Sequence, residues 1–178
     1  HEVLIFTDPV DEVWLQRMPE FGDYKFASIG KGEVELGTDE EKEKAKEELE
    51  EKQKSYKSLL ERIQTTLDQD IKEVRLSNRM TTSPACLVVD KEDMSPQMEQ
   101  LLAQMGQAMP GTKRILEINP DHPILEKLHN RFSDNSQDPS ISDYARLLHG
   151  QALLAEGSQL TDPGAFSKLV SDLMVQAL

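Results

Sequence analysis

The chain has 178 residues, 30% of them charged and 37% hydrophobic, with a formal net charge of −13. That length holds one ordinary domain or two small ones, and the acidic balance argues against nucleic acid and anionic membrane surfaces, which need clustered Lys and Arg. A single cysteine, Cys86, excludes an intrachain disulfide and suits a reducing compartment.

No apolar run nears the roughly 20 residues that span a bilayer. The sequence opens on His1 without a signal-peptide pattern, so a fragment of a longer cytosolic protein is expected.

Residues 2–6, EVLIF, form an apolar run of strand length. Thr7 or Asp8 can cap a following helix that starts at Pro9. A second short strand is expected over 25–29, KFASI, which makes a small βαβ-like unit. The glycine-punctuated stretch 30–37 reads as a linker. Residues 39–67 predict one long helix with an apolar stripe of Ala45, Leu49, Tyr56, Leu60, Ile63 and Leu67. Its other faces interleave Glu and Lys, with Glu48/Lys52 and Glu50/Lys54 at i,i+4 spacing. The first half of this helix reads as a solvated connector.

Strands are expected at 72–80, 85–90 and 114–120, forming a small three-stranded sheet. The helix between the last two is expected to cross from one to the other. It runs from Ser95 as cap and Pro96 to the stop at Pro110-Gly111, and its surroundings hold four of the seven methionines. Met94, Met98, Leu101, Leu102, Met105 and Met109 fall on one face. Periodicity alone leaves two readings open: a core stripe laid on the sheet, or an exposed ridge that adapts to partners.

The last third is helical: 121–132 with Asp121 as cap, 141–157 with Gly157 behind it, and 161–178. Leu147, Leu148, Leu153 and Leu154 crowd the second of these. Phe166, Val170, Leu173 and Ala177 make a seam on the third, widened by Leu169 and Met174. Two such helices either close on each other or pair with a second copy as a four-helix bundle.

No catalytic constellation is visible. The four histidines lack metal-site spacing. His122 reads as a turn or helix-start residue and Cys86 as an inert core thiol. Gly30-Lys31-Gly32 lacks the spacing of a phosphate loop, and no nucleophile elbow occurs. Trp14 suits a core and a contact role equally.

Several blocks resemble the ninety-kilodalton heat-shock chaperone family. Residues 4–29, LIFTDPVDEVWLQRMPEFGDYKFASI, are similar to the end of its middle domain. VRLSNRMTTSPACLVVD and RILEINPDHPILEKL are similar to its C-terminal domain, and QALLAEGSQLTDPGAFSKLVSDLM resembles the ending of the bacterial branch. The resemblance implies an α+β fold: a small three-stranded sheet with packed helices and a C-terminal helical dimerisation bundle, preceded by a βαβ middle-domain tail. It divides the chain into 1–36, the middle-domain tail; 37–70, linker and charged helix; and 71–178, the dimerisation domain.

The family is an ATP-driven, homodimeric, cytoplasmic chaperone acting on partly folded clients and working with co-chaperones. Its ATP and Mg site and its catalytic groups lie in parts absent here, so this chain is expected to carry no cofactor, metal or catalytic residue. The resemblance also implies an exposed methionine helix, with Met94, Met98, Leu101, Leu102, Met105, Met109 and Trp14 as client contacts. Leu147, Leu148, Leu153, Leu154, Phe166, Leu169, Val170, Leu173 and Met174 would form the dimer interface. The rival expectation is a purely structural dimerisation module.

Overall fold

In chain order the elements are α1 (Pro9–Arg17), β1 (Glu20–Phe21), β2 (Tyr24–Lys25), α2 (Asp39–Thr66), β3 (Ile71–Leu76), β4 (Ala85–Val88), α3 (Pro96–Gln104), β5 (Arg114–Ile118), α4 (Pro123–Asp134), α5 (Ser140–Glu156) and α6 (Pro163–Ala177). The computed structural model describes residues 2–32, 38–90, 93–107 and 111–177. The chain divides into two compact units, His1–Val34 with Val89–Thr112, and Glu35–Val88 with Lys113–Leu178. The stretch around α3, expected inside the C-terminal domain, thus groups with the N-terminal residues.

In the first unit Asp8 caps α1. Its side chain accepts from the Val10 N–H at 3.0 Å, and Asp11 accepts from the Asp8 N–H at 3.1 Å. The expected βαβ tail is absent among the described residues. Residues 2–6 form no strand, and Val3 and Ile5 are 78% and 85% exposed. Of 25–29 only Lys25 is in a strand, where β2 pairs antiparallel with β1. An extended run becomes a strand only beside a neighbour that takes its N–H and C=O groups. The short turn at Gly22 (φ +60) supplies such a neighbour to Tyr24–Lys25, and nothing described supplies one to 2–6. Further on, Lys31 and Val89 form an isolated parallel bridge.

The second unit is built on a sheet of order β3-β5-β4. β3 runs parallel to β5, and β4 runs antiparallel to it. The three strands match the sequence reading, and α3 lies in the connection between the second and third of them as expected. β4 and β5 are adjacent and antiparallel, an arrangement a tight hairpin could close, yet their connection carries α3. One face of the sheet stacks Val74, Leu116 and Leu87 on one rung and Leu76, Ile118 and Ala85 on the next. These side chains join Leu59, Ile63 and Leu67 of the α2 segment, Leu125 and Leu128 of α4, and Ile141, Ala145 and Leu148 of α5 in a single core.

On α2 the apolar stripe engages this core from Leu49 and Tyr56 onward. Lys52 pairs with Asp121 rather than with Glu48, whose partner is Lys44. The exposed edge of β3 is closed by a side chain: the Leu76 N–H donates to Gln53 Oε1 at 3.1 Å. At the start of α4 the cap is His122 instead of Asp121, its Nδ1 accepting from the Ile124 N–H at 3.2 Å.

Candidate functional site

Two apolar surfaces and one buried ionic cluster are the candidates. The first surface lies in the N-terminal unit, where α1 packs beside α3. Trp14 stands between Phe6 and Phe26, with ring centroids 6.2 and 6.1 Å away, and is 42% exposed. Val10 and Val13 are exposed on the same helix.

α3 starts where Ser95 Oγ accepts from the Met98 N–H at 3.3 Å and Pro96 fills the first turn. It ends earlier than its sequence suggests. Gly106 adopts φ +75, Gln107 donates back to the Leu102 carbonyl at 2.9 Å, and Gly106 donates to that of Ala103 at 3.1 Å. This glycine-closed ending stops the helix at Gln104. Met94, Met98, Leu101 and Leu102 are half-buried, and Met105, on the last turn, is 65% exposed. Met109 lies outside the described residues. The ridge is therefore neither a sealed core stripe nor fully open: a half-covered row ends in one bare methionine.

The second surface is on α5 and α6. Phe166 packs on Gly150 so closely that a Cβ there would lie 2.3 Å from the ring. This contact sets the approach of the two helices. Leu148 sits in the unit's own core, and Leu173 is also buried. Leu147, Leu153, Phe166, Leu169 and Val170 are half-buried. Leu154 and Met174 are exposed, as is Val175, which the sequence seam passes over. Of the seam read from sequence, Phe166 thus packs on α5, and the large apolar residues left bare lie on the same two helices.

The ionic cluster was invisible to sequence reasoning. Glu117, on the central strand β5, is 1% exposed. Its Oε1 accepts from Arg75 Nε and Nη2 at 3.0 and 2.7 Å, and Arg79 Nη2 reaches the same oxygen at 3.3 Å. A buried carboxylate is tolerable only with such charged donors. The available signal was a lone Glu interrupting the apolar run RILEI, together with an Arg at an alternating position of β3.

Cys86 sits opposite Glu117 in the register. Burial first, then the carboxylate's charge, pushes its thiol up to about 11, so it stays protonated and unreactive at neutral pH. Burial likewise lowers the pKa of His149, although Asp70 and Glu156 pull it upward. Among the described residues no group of three or more His, Cys, Asp or Glu gathers as metal ligands would, and no helix is long and apolar enough to cross a membrane.

Comparison with known proteins adds identity to this geometry. The family described as Hsp90 protein matches residues 1–178. The chain is 47% identical over 178 residues to the chaperone protein HtpG of Frankia casuarinae, covering 100% of this chain and 27% of that protein. It is 45% identical over 177 residues to HtpG of Rhodococcus jostii, covering 99% and 28%. Against HtpG of Geobacter sulfurreducens it is 45% identical over 175 residues, covering 98% and 27%. The chain therefore spans little more than a quarter of the length of these relatives.

Proposed function

Because the chain belongs to the Hsp90 protein family, we propose that it is the homodimerisation and client-contact portion of an ATP-dependent chaperone that assists folding and remodelling under stress. One observation carries the reading. Among the described residues of the second unit, every exposed large apolar side chain (Leu154, Met174 and Val175) lies on α5 or α6. A second copy presenting the same residues would cover them reciprocally, as a two-fold interface requires. Each side chain covered would contribute about 1.5–3 kcal/mol. The proposed interface also takes in Leu147, Leu148, Leu153, Phe166, Leu169, Val170 and Leu173 on the same two helices, of which Leu148 and Leu173 are buried and the others half-buried.

Client contact is assigned to the first unit, to Met94, Met98, Leu101, Leu102, Met105 and Met109 with Trp14. Methionine is unbranched and polarisable, so a methionine ridge fits varied apolar segments. In this reading residues 1–36 are the tail of a middle domain, 37–70 a linker and long helix, and 71–178 the dimerisation domain. ATP and Mg act in parts of the longer relatives that this chain does not match, co-chaperones bind the assembled protein, and the work is done in the cytoplasm.

Light scattering from micromolar to nanomolar concentration tests the dimer. The expected result is a dimer that Met174→Glu converts to a monomer. A monomer at every concentration would sink the reading. A second reading, a structural dimerisation module without client contact, draws on the half-burial of Met98 and Leu101. The double substitution to Ser separates the two. Weakened capture of an unfolded protein at unchanged Tm supports client contact. A large fall in Tm with capture unchanged supports the structural module.

A further inference from the structure

A cavity of about 320 Å³ opens between α4, α5 and α6, lined by Ile124, Lys127, Leu128, Arg131, Tyr144 and Gln176. Its α4 residues fall at spacings of three and four along one face of that helix. The lining is apolar below, where Leu128 is fully buried and Ile124 and Tyr144 pack against the core. It is cationic at the mouth. Lys127 forms no ion pair among the described residues. Arg131 is 54% exposed and leans on Asp138 at 3.5 Å and Ser140 Oγ at 3.3 Å. Two cations one helical turn apart, over an apolar cavity, are notable in a chain of net charge −13.

We propose that this cavity binds a small organic acid with an apolar, flat body, the carboxylate held between Lys127 and Arg131 and the body lying on Ile124, Leu128 and Tyr144. Three features select that class. The volume is at the lower end of small-ligand sites, about 300–1,000 Å³, which suits a ring system rather than a folded segment. An apolar body gains by leaving water for this lining. The anionic end replaces its hydration with charge-assisted donors, Lys127 having no competing carboxylate partner among the described residues. Gln176 comes from the last turn of α6, so an occupied cavity ties α4 and α5 to the turn that also carries Met174 and Val175. None of the lining residues belongs to the exposed apolar patch, so the site is distinct from the proposed dimer surface.

The test uses the 178-residue chain and two probes of nearly equal shape, 1-naphthaleneacetate and its neutral amide, followed by NMR at the Ile124 methyls, the Tyr144 ring and the Met174 methyl. The acid is expected to saturate shifts at all three at about millimolar concentration, and to bind about tenfold more tightly than the amide. Lys127→Glu, at an exposed position, should remove that advantage while leaving the rest of the spectrum intact, and Lys127→Arg should keep it. Equal binding of acid and amide, or a Lys127→Glu variant that binds the acid as well as the parent, would overturn the carboxylate assignment. Shifts confined to other residues, or none at several times that concentration, would overturn the cavity itself.

Discussion

The two units use apolar residues in opposite ways. The second buries them: Leu59, Ile63, Leu67, Leu116, Ile118, Leu125, Ile141 and Leu148 are each at most 1% exposed. The first shows them: Val3, Ile5, Val10, Phe21, Tyr24, Ile29 and Met105 are all at least 60% exposed. Hydrophobicity alone does not separate the two, since EVLIF is as apolar as ACLV. What separates them is whether a neighbouring strand or helix is present to receive the side chains and the backbone polar groups. One unit is a closed fold with a small bare patch. The other leaves most of its described large apolar side chains open to water.

The sharpest way to break this contrast is at the buried ionic cluster. Glu117→Ala should leave the half-buried Arg75 and Arg79 without their carboxylate and cost about 3–5 kcal/mol in urea unfolding of the second unit. Met105→Ser in the first unit should shift stability by no more than about 0.5 kcal/mol. If the two substitutions cost alike, the contrast between a closed and an open unit fails.

Next in size is Gly150→Ala. With Phe166 ring atoms at 2.3 and 2.6 Å from the new Cβ, the α5–α6 joint must open, at about 1–3 kcal/mol. The measurement is thermal melting together with light scattering. A lowered Tm, with or without loss of the proposed dimer, would locate the effect in the joint, and an unchanged Tm and mass would contradict the packing.

A smaller effect is expected at the cap of α3. Ser95→Ala should weaken the helix by about 1 kcal/mol, seen as faster amide exchange over Met98–Gln104 without change in the exchange of β5.

The smallest is the titration of His149. Its folded pKa is lowered, so the unfolded chain binds the proton more tightly. Stability is therefore full above the unfolded value near 6.5 and declines as pH falls through the window below it. His149→Gln should flatten that slope in urea midpoints measured at pH 7 and below, and an unaltered slope would assign it to other groups.

Much of this was legible along the chain. The 28-residue helix α2, the caps at Asp8 and Ser95, the glycine behind α5 and the three strands of the second unit all follow from local pattern, because periodicity and capping are local physics. The rest depends on partners distant in sequence. Strand order β3-β5-β4 and the antiparallel sense of β4 and β5 are decided by pairing across the fold, on which local pattern is silent. EVLIF carried a strand's composition without a strand's neighbour. Glu117 escaped the sequence reading because its two arginines lie 42 and 38 residues earlier. On α6 the apolar spacing was legible, but the close approach of Phe166 to Gly150 was not, because it depends on how α5 and α6 meet.

The placement of sulfur has a chemical consequence under oxidative conditions. The one thiol, Cys86, is held protonated and so reacts slowly with peroxide. The thioethers of Met105 and Met174 are 65% and 60% open to water. Oxidants should therefore bypass the cysteine and convert these two methionines to sulfoxides, making polar the bare end of the α3 ridge and the exposed last turn of α6. The chain would keep its fold while its two most open thioethers turn polar, a change that methionine sulfoxide reductases can reverse.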